Sequence, residues 1–429
     1  MPHYFYINSS AWLRNDEFLD LPLPFLALLL FIVSPLYLAT RGSTSLSDIA
    51  FIFSSLSERA EALCIELTSQ PTVPPISTFN ETYIPRDVQR KISSPLPDGL
   101  AHSINSFEQY PFIAEHILQR KHLRYSKQTP AQRSLSNKLG YPVHFEKSRK
   151  GVEVNTMISE MIVQIARDYY NTGPQILEDS EQADFGLVDL TWGHLSRDWS
   201  SQGIKERQAV FPPIMTQLEQ HFGGNESGKK VLVPGSALGR LASDIADLDA
   251  GYDVTTNELD YASILAYHLL SNHTTSLHQH TLQPFVTKWT HQANPSSRYS
   301  AITVPDHWPN KGVKLVEGDF LEMFPEDDQF DAVVTLFFID ISDNVIEFLS
   351  NIHRLLKPGG VWINLGPLKW GTHTAVQLSA DEVLHLADLL GFDVNHTSRK
   401  SIDSTYNEQP ETLLKFTYVT QFWSATKRG

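Results

Sequence analysis

The spacing of apolar positions divides the chain into a hydrophobic stretch, a polar stretch, a helical stretch and an alternating one. Residues 21–39 run nineteen positions without a charge, just long enough to span a bilayer as a helix. Pro22, Pro24 and Pro35 interrupt the run, although the first two sit where a helix would begin. Residues 1–45 are therefore expected to carry a membrane anchor, with a buried or interfacial hairpin as the alternative. Arg14 and Arg41 bracket the run almost evenly, so charge asymmetry gives no orientation. Residues 46–99 are rich in Ser, Thr and Pro and read as a linker with little regular structure.

Residues 100–222 have a different texture. Met157, Ile158, Met161, Ile162 and Ile165 recur at helical spacing, and strand signals are few. From 223 to 429, short apolar runs at 231–235, 252–258, 314–320, 330–340 and 359–367 alternate with helical stretches. Nearly continuous apolar strands alternating with helices predict a parallel sheet covered on both faces. The expected fold class is α/β, a Rossmann-like sheet behind an N-terminal helical region.

Composition narrows the function. The chain has 429 residues and a net charge of −15, so its surface repels phosphate backbones and nucleic acid is not an expected partner. Its 23 phenylalanines, 15 tyrosines and 8 tryptophans exclude a disordered or fibrous chain. A single cysteine, Cys64, excludes an internal disulfide framework and any Cys-rich zinc site. The densest histidine group, His268, His273, His278 and His280, has no carboxylate at ligand spacing. These read as surface histidines, and no metal is expected. Five Asn-x-Ser/Thr sequons occur, at Asn8, Asn80, Asn225, Asn272 and Asn395. Chance supplies several in a chain this long, so glycosylation is not expected.

The candidate chemistry sits at strand ends. The first strand runs into Gly235-Ser236-Ala237-Leu238-Gly239 before a helix, a turn that lets backbone N–H groups approach a ligand. Ala237 stands where a glycine would be usual. About twenty residues on, Glu258 ends the second strand, where an acid can accept the hydroxyls of a ribose. Asp319 and Phe320 follow a third strand and could hold an adenine amine and ring. Each acid has a plainer alternative as a helix cap. Dinucleotide and S-adenosylmethionine sites share all these features. The discriminating signals come later: no second loop receives a diphosphate, and Leu356-Lys357-Pro358-Gly359-Gly360 forms the turn typical of class I methyltransferases.

Several further segments resemble the carnosine N-methyltransferase family. They are Arg197-Asp198-Trp199-Ser200 with Gly203, Glu206-Arg207 and Pro213-Ile214; the run 231–242; and Trp289, His291, Gln292 and Asn294. Gly318-Asp319-Phe320, the run 337–340 and Trp362-Ile363-Asn364-Leu365-Gly366-Pro367 complete the set. The resemblance covers roughly residues 100–429. It implies methyl transfer from S-adenosylmethionine to an imidazole nitrogen of carnosine (β-alanyl-histidine) or a related histidine-containing peptide. It also implies that Arg197 reaches the methionine carboxylate of the cofactor. Gly235, Gly239 and Glu258 would line the cofactor, and Asp319 and Phe320 would meet the adenine. Asp340, Tyr406 and Tyr418 fall where the family places substrate contacts; Asp340 could instead cap the following helix, and the tyrosines could be ordinary strand aromatics.

The chain departs from the family after the Gly-Pro-Leu turn, where Leu368-Lys369-Trp370-Gly371-Thr372-His373 stands and His373 would substitute for a displaced histidine. A position that is often tyrosine is Phe416, and a glutamine near the cofactor is His194. These departures bear on the acceptor. A different small-molecule acceptor and a non-catalytic cofactor-binding relative stand as the alternatives. The catalytic part is expected in the cytoplasm, and a homodimer is a further possibility.

Overall fold

A computed structural model describes residues 97, 99–172, 183–223 and 227–429. Residues 92–429 belong to one compact unit. Cys64, Asn8, Asn80, Asn225 and the run 21–39 lie outside the described residues. Among the described residues no helix is long and apolar enough to cross a membrane. The expected transmembrane helix is therefore not borne out by any described helix.

Five helices come first: α1 (Leu100–Ser126), α2 (Pro130–Lys138), α3 (Tyr141–Tyr170), α4 (Phe185–Trp199) and α5 (Ile204–Phe222). They lead into β1 (Lys230–Pro234), α6 (Arg240–Ala246), β2 (Asp253–Glu258) and α7 (Tyr261–Asn272). A small antiparallel pair, β3 (His280–Leu282) and β4 (Ile302–Val304), precedes β5 (Lys314–Glu317). The chain continues through β6 (Phe330–Leu336), α8 (Val345–Leu355), β7 (Leu356–Gly366), α9 (Ala380–Leu389), β8 (Phe392–Thr405) and β9 (Thr417–Lys427).

The main sheet has the order β5-β2-β1-β6-β7-β9-β8, parallel except for β9. This is the class I methyltransferase arrangement. The chain moves outward from β1 to β2 and β5, then returns to the other side of β1 as β6. Ligands of open α/β sheets bind at such a reversal, beyond the C-terminal strand ends.

Period-two alternation explains why the strands are apolar on both faces. Val231 and Val233, Ala332 and Val334, and Val361, Ile363 and Leu365 share a cluster with Val210, Phe211, Ile214 and Leu218 of α5. Leu232, Val333 and Trp362 point the other way, against Leu349 and Ile352 of α8 and Val383 and Leu384 of α9. A third cluster joins α1, α3 and α4 to α7, with Trp192, Trp199 and Leu265 fully buried in it. The helical region and the sheet domain thus share a core.

Two of the histidines expected at the surface are buried. His268 hydrogen-bonds Glu317 at 3.2 Å and Asn272 at 3.2 Å, and His280 bonds Thr274 at 2.9 Å. Both are core histidines satisfied by polar neighbours, which corrects the surface reading.

Candidate active site

The turn after β1 sits at the reversal point. Gly235 has φ 60°, and a Cβ there would lie 2.1 Å from the Phe338 ring. Ala237 has φ 49°, in the left-handed region that the expected glycine would occupy without strain. Its N–H donates to Glu258 at 2.7 Å, and the N–H groups of Leu259 and Asp260 donate to the same carboxylate at 2.8 and 2.9 Å. Burial pushes the Glu258 acid up to about 7, with the nearby Asp260 charge adding to the effect. Gly239 caps the N-terminus of α6.

The Arg197–Ser200 segment ends α4 and closes the cleft from the helical side. Arg197 makes a two-pronged ion pair with Asp198 at 2.6 and 2.8 Å, and its guanidinium lies 5.0 Å from the Tyr406 ring centre. The Trp199 indole N–H donates to the Leu238 carbonyl at 2.9 Å, tying this helix to the glycine turn. Arg207 donates to the carbonyls of Arg197 at 2.6 Å and Ser200 at 2.9 Å. Gly203 is required by this close turn, because a Cβ would fall 1.8 Å from the Arg197 oxygen. Asp306 then bridges two buried arginines, accepting from Arg207 at 2.6 Å and from Arg240 at 2.6 Å. Arg240 also donates to the Asp198 carbonyl at 2.9 Å.

Across the cleft, Phe337 follows β6 with φ 51°, a conformation that costs a bulky residue about 1–3 kcal/mol. Its ring lies 5.6 Å from Tyr406 and 5.9 Å from Tyr418, and those tyrosines stand edge-to-face at 6.0 Å. Asp340 follows in a short 3-10 turn, is nearly fully buried, and accepts the Lys369 backbone N–H at 2.8 Å. Burial pushes its acid up to about 6 against the pull of that N–H group. Burial also raises the Tyr418 hydroxyl, and the charges of Tyr406 and Asp340 act in the same direction.

Arg197, Gly235, Phe337 and Tyr406 line one cavity, which opens between the helical region and the strand ends. Tyr418 and Asp340 adjoin it through Phe337 and Tyr406. Other expected site residues are placed differently. Asp319 accepts the Leu321 N–H at 2.8 Å, the turn-capping alternative. Phe320 is buried against Phe324, Phe338 and Phe348, so its ring serves the core rather than an open cleft wall. His373 is exposed on the loop after β7 and no hydrogen bond joins it to Asp340. His194 is held neutral by burial, pushed down to about 3, and its Nδ1 has no hydrogen-bond partner.

Sequence reasoning missed Asp306 and Asn407. Asp306 acts through partners 99 and 66 positions away, which no local pattern reveals. Asn407 takes φ 51°, and its N–H and that of Glu408 both donate to Glu206 at 2.9 Å. Glu206 thereby anchors the connection that begins at Tyr406.

The carnosine N-methyltransferase family model matches residues 174–429, more than half of the chain. The chain belongs to the carnosine N-methyltransferase family. Among curated relatives, carnosine N-methyltransferase of Schizosaccharomyces pombe is 27% identical over 361 residues, covering 76% of this chain and 94% of that one. The mouse enzyme of that name is 27% identical over 334 residues, covering 73% and 82%. Carnosine N-methyltransferase unmet of Drosophila melanogaster is 30% identical over 246 residues, covering 54% and 53%. The family match takes in every expected site residue, from Arg197 to Tyr418, and both residues that sequence reasoning missed.

Proposed function

We propose that this protein transfers a methyl group from S-adenosylmethionine to an imidazole nitrogen of carnosine or a closely related histidine-containing peptide. The observation that carries the reading is Asp340: a buried carboxylate with backbone donors only, beside two tyrosines, next to the β1 turn. The cleft fits the cofactor. Glu258 is a half-buried carboxylate answered only by backbone N–H groups, so hydroxyl donors at the strand end would satisfy it further. Arg197, Gly235, Gly239 and Glu258 would hold it, the Asp319 oxygen that does not cap Leu321 would face the adenine amine, and Phe320 would support that wall from the core. When bound, the sulfonium supplies an already activated methyl group, so the protein's task is alignment.

Asp340 is mostly ionised at pH 7 with its acid near 6, and can accept the N–H of an imidazole ring. That bond fixes the tautomer, presents the opposite nitrogen's lone pair, and stabilises the charge that develops on the ring. Neutral imidazole predominates at pH 7, so no strong base is required. Tyr406 and Tyr418 would hold the peptide part.

The test incubates the protein with methyl-labelled S-adenosylmethionine and carnosine and determines the product by mass and fragmentation. Monomethylation of the imidazole is expected. Tight binding of S-adenosylhomocysteine with no label in any histidine-containing peptide would overturn the reading.

A further inference from the structure

Lys369 stands in the segment where this chain departs from its family, and nothing so far gives it a role. Its main chain is fixed at the centre of the acceptor side, because its N–H donates to the Asp340 carboxylate at 2.8 Å. The residues around it are held as well. The Trp370 indole N–H donates to the Leu378 carbonyl at 2.7 Å, and the ring packs on the core beside α8 and α9. Thr374 bonds the Ser342 carbonyl at 3.3 Å, and the Ala375 N–H donates to the Asp343 carbonyl at 2.7 Å. The lysine side chain therefore starts from a rigid base. It is exposed, and among the described residues it has no ion-pair partner.

The arginines that line the cavity already have acidic partners. Arg197 is held by both oxygens of Asp198, and Arg207 and Arg240 share Asp306. The ammonium of Lys369 acts on Asp340 at a distance, opposing the effect of burial on that acid. A protein with a net charge of −15 repels anionic ligands in general, so an anionic acceptor needs a local cation. In a C-terminal histidine, two saturated carbons separate the ring from the carboxyl carbon. A ring held on Asp340 thus places its carboxylate within the sweep of a four-carbon stem based one hydrogen bond away.

We propose that Lys369 binds the carboxylate of the methyl acceptor, so that the site selects imidazoles bearing an acid group over their neutral analogues. This rests on the reading of Asp340 as the anchor of the imidazole ring.

The experiment compares carnosine with β-alanyl-histamine, the same molecule without its carboxylate, on the full chain. The wild type should favour carnosine by about tenfold in kcat/KM, as expected for a charge-assisted contact at a partly solvated site. Lys369→Gln should bring the ratio to about twofold or less, and Lys369→Arg should keep most of the preference. An unchanged ratio in Lys369→Gln would overturn the assignment while leaving the methyltransferase reading intact. If neither compound is methylated, calorimetric binding of each to the protein saturated with S-adenosylhomocysteine decides. A carnosine preference lost in Lys369→Gln supports Lys369 and sinks the proposed reaction; binding of neither compound sinks both.

Discussion

The two walls of the cleft are built on opposite principles. On the cofactor wall the buried charges have ionic partners: Arg197 with Asp198, and Arg207 and Arg240 with Asp306. On the acceptor wall Asp340 is answered only by backbone N–H groups, that of Lys369 at 2.8 Å and its own, and its acid lies near 6. Neutralised charge makes a rigid wall, because every group that moved would leave a buried partner alone. A carboxylate left with spare lone pairs makes a receptor. On the proposed assignment, the paired charges hold the cofactor wall in shape and Asp340 keeps capacity for the acceptor.

Removing a scaffold charge should therefore cost most. Asp306→Ala leaves the buried Arg207 guanidinium without its acid and Arg240 with Asp244 alone, and urea unfolding should register a loss of about 3–5 kcal/mol. A loss below 1 kcal/mol would break the contrast.

Asp340→Asn should behave oppositely. Its turnover should fall at least about a hundredfold, while S-adenosylhomocysteine affinity by calorimetry barely changes. The folded-state acid lies above the unfolded value of about 3.9, so ionisation between about 4 and 6 weakens the fold. The Asn variant should accordingly melt no lower than its parent at pH 7. Wild-type turnover should rise with pH through about 6 as Asp340 becomes ionised, and near-normal turnover of the variant would remove its role.

Glu258 is the exception on the cofactor wall, since its acid lies near 7 and it is answered by backbone N–H groups with no cation. Its ionised form accepts hydroxyl donors better, so S-adenosylhomocysteine should bind about three- to tenfold more tightly at pH 8 than at pH 6. Glu258→Gln should bind with a flat pH profile.

The smallest effect is expected at His373, which is exposed and lies away from Asp340's bonds. His373→Ala should leave kcat/KM within about twofold, the range of ordinary surface changes. A larger loss would mean that its loop moves inward during turnover.

These contrasts were unevenly legible from the chain alone. The parallel strands were readable because both faces of β1, β6 and β7 are apolar, leaving runs such as Val231-Leu232-Val233 that nothing else explains. The long hairpin β8–β9 was not, because β8 is mostly exposed and reads as a polar segment. Strand-end acids such as Glu258 and Asp340 could be placed because the ends of apolar runs locate them. The spare capacity of one and the capping role of Asp319 depend on side-chain geometry. The ion pairs of Asp306 depend on contacts across the fold, and a local pattern is blind to those.

The position of β9 carries a consequence for how the enzyme is made. It follows β8 in the chain yet lies between β7 and β8 in the sheet. During synthesis, then, β8 emerges from the ribosome with no neighbour to pair with, and Tyr406 at its end has no fixed place. Only when residues 417–427 arrive can β8 dock, bringing Tyr406 and Tyr418 together and letting Asn407 meet Glu206 across 201 positions of sequence. Contacts of such long range form late. A nascent chain stalled before residue 417 would hold a folded cofactor wall without its acceptor wall, so methyl transfer would report on the arrival of β9.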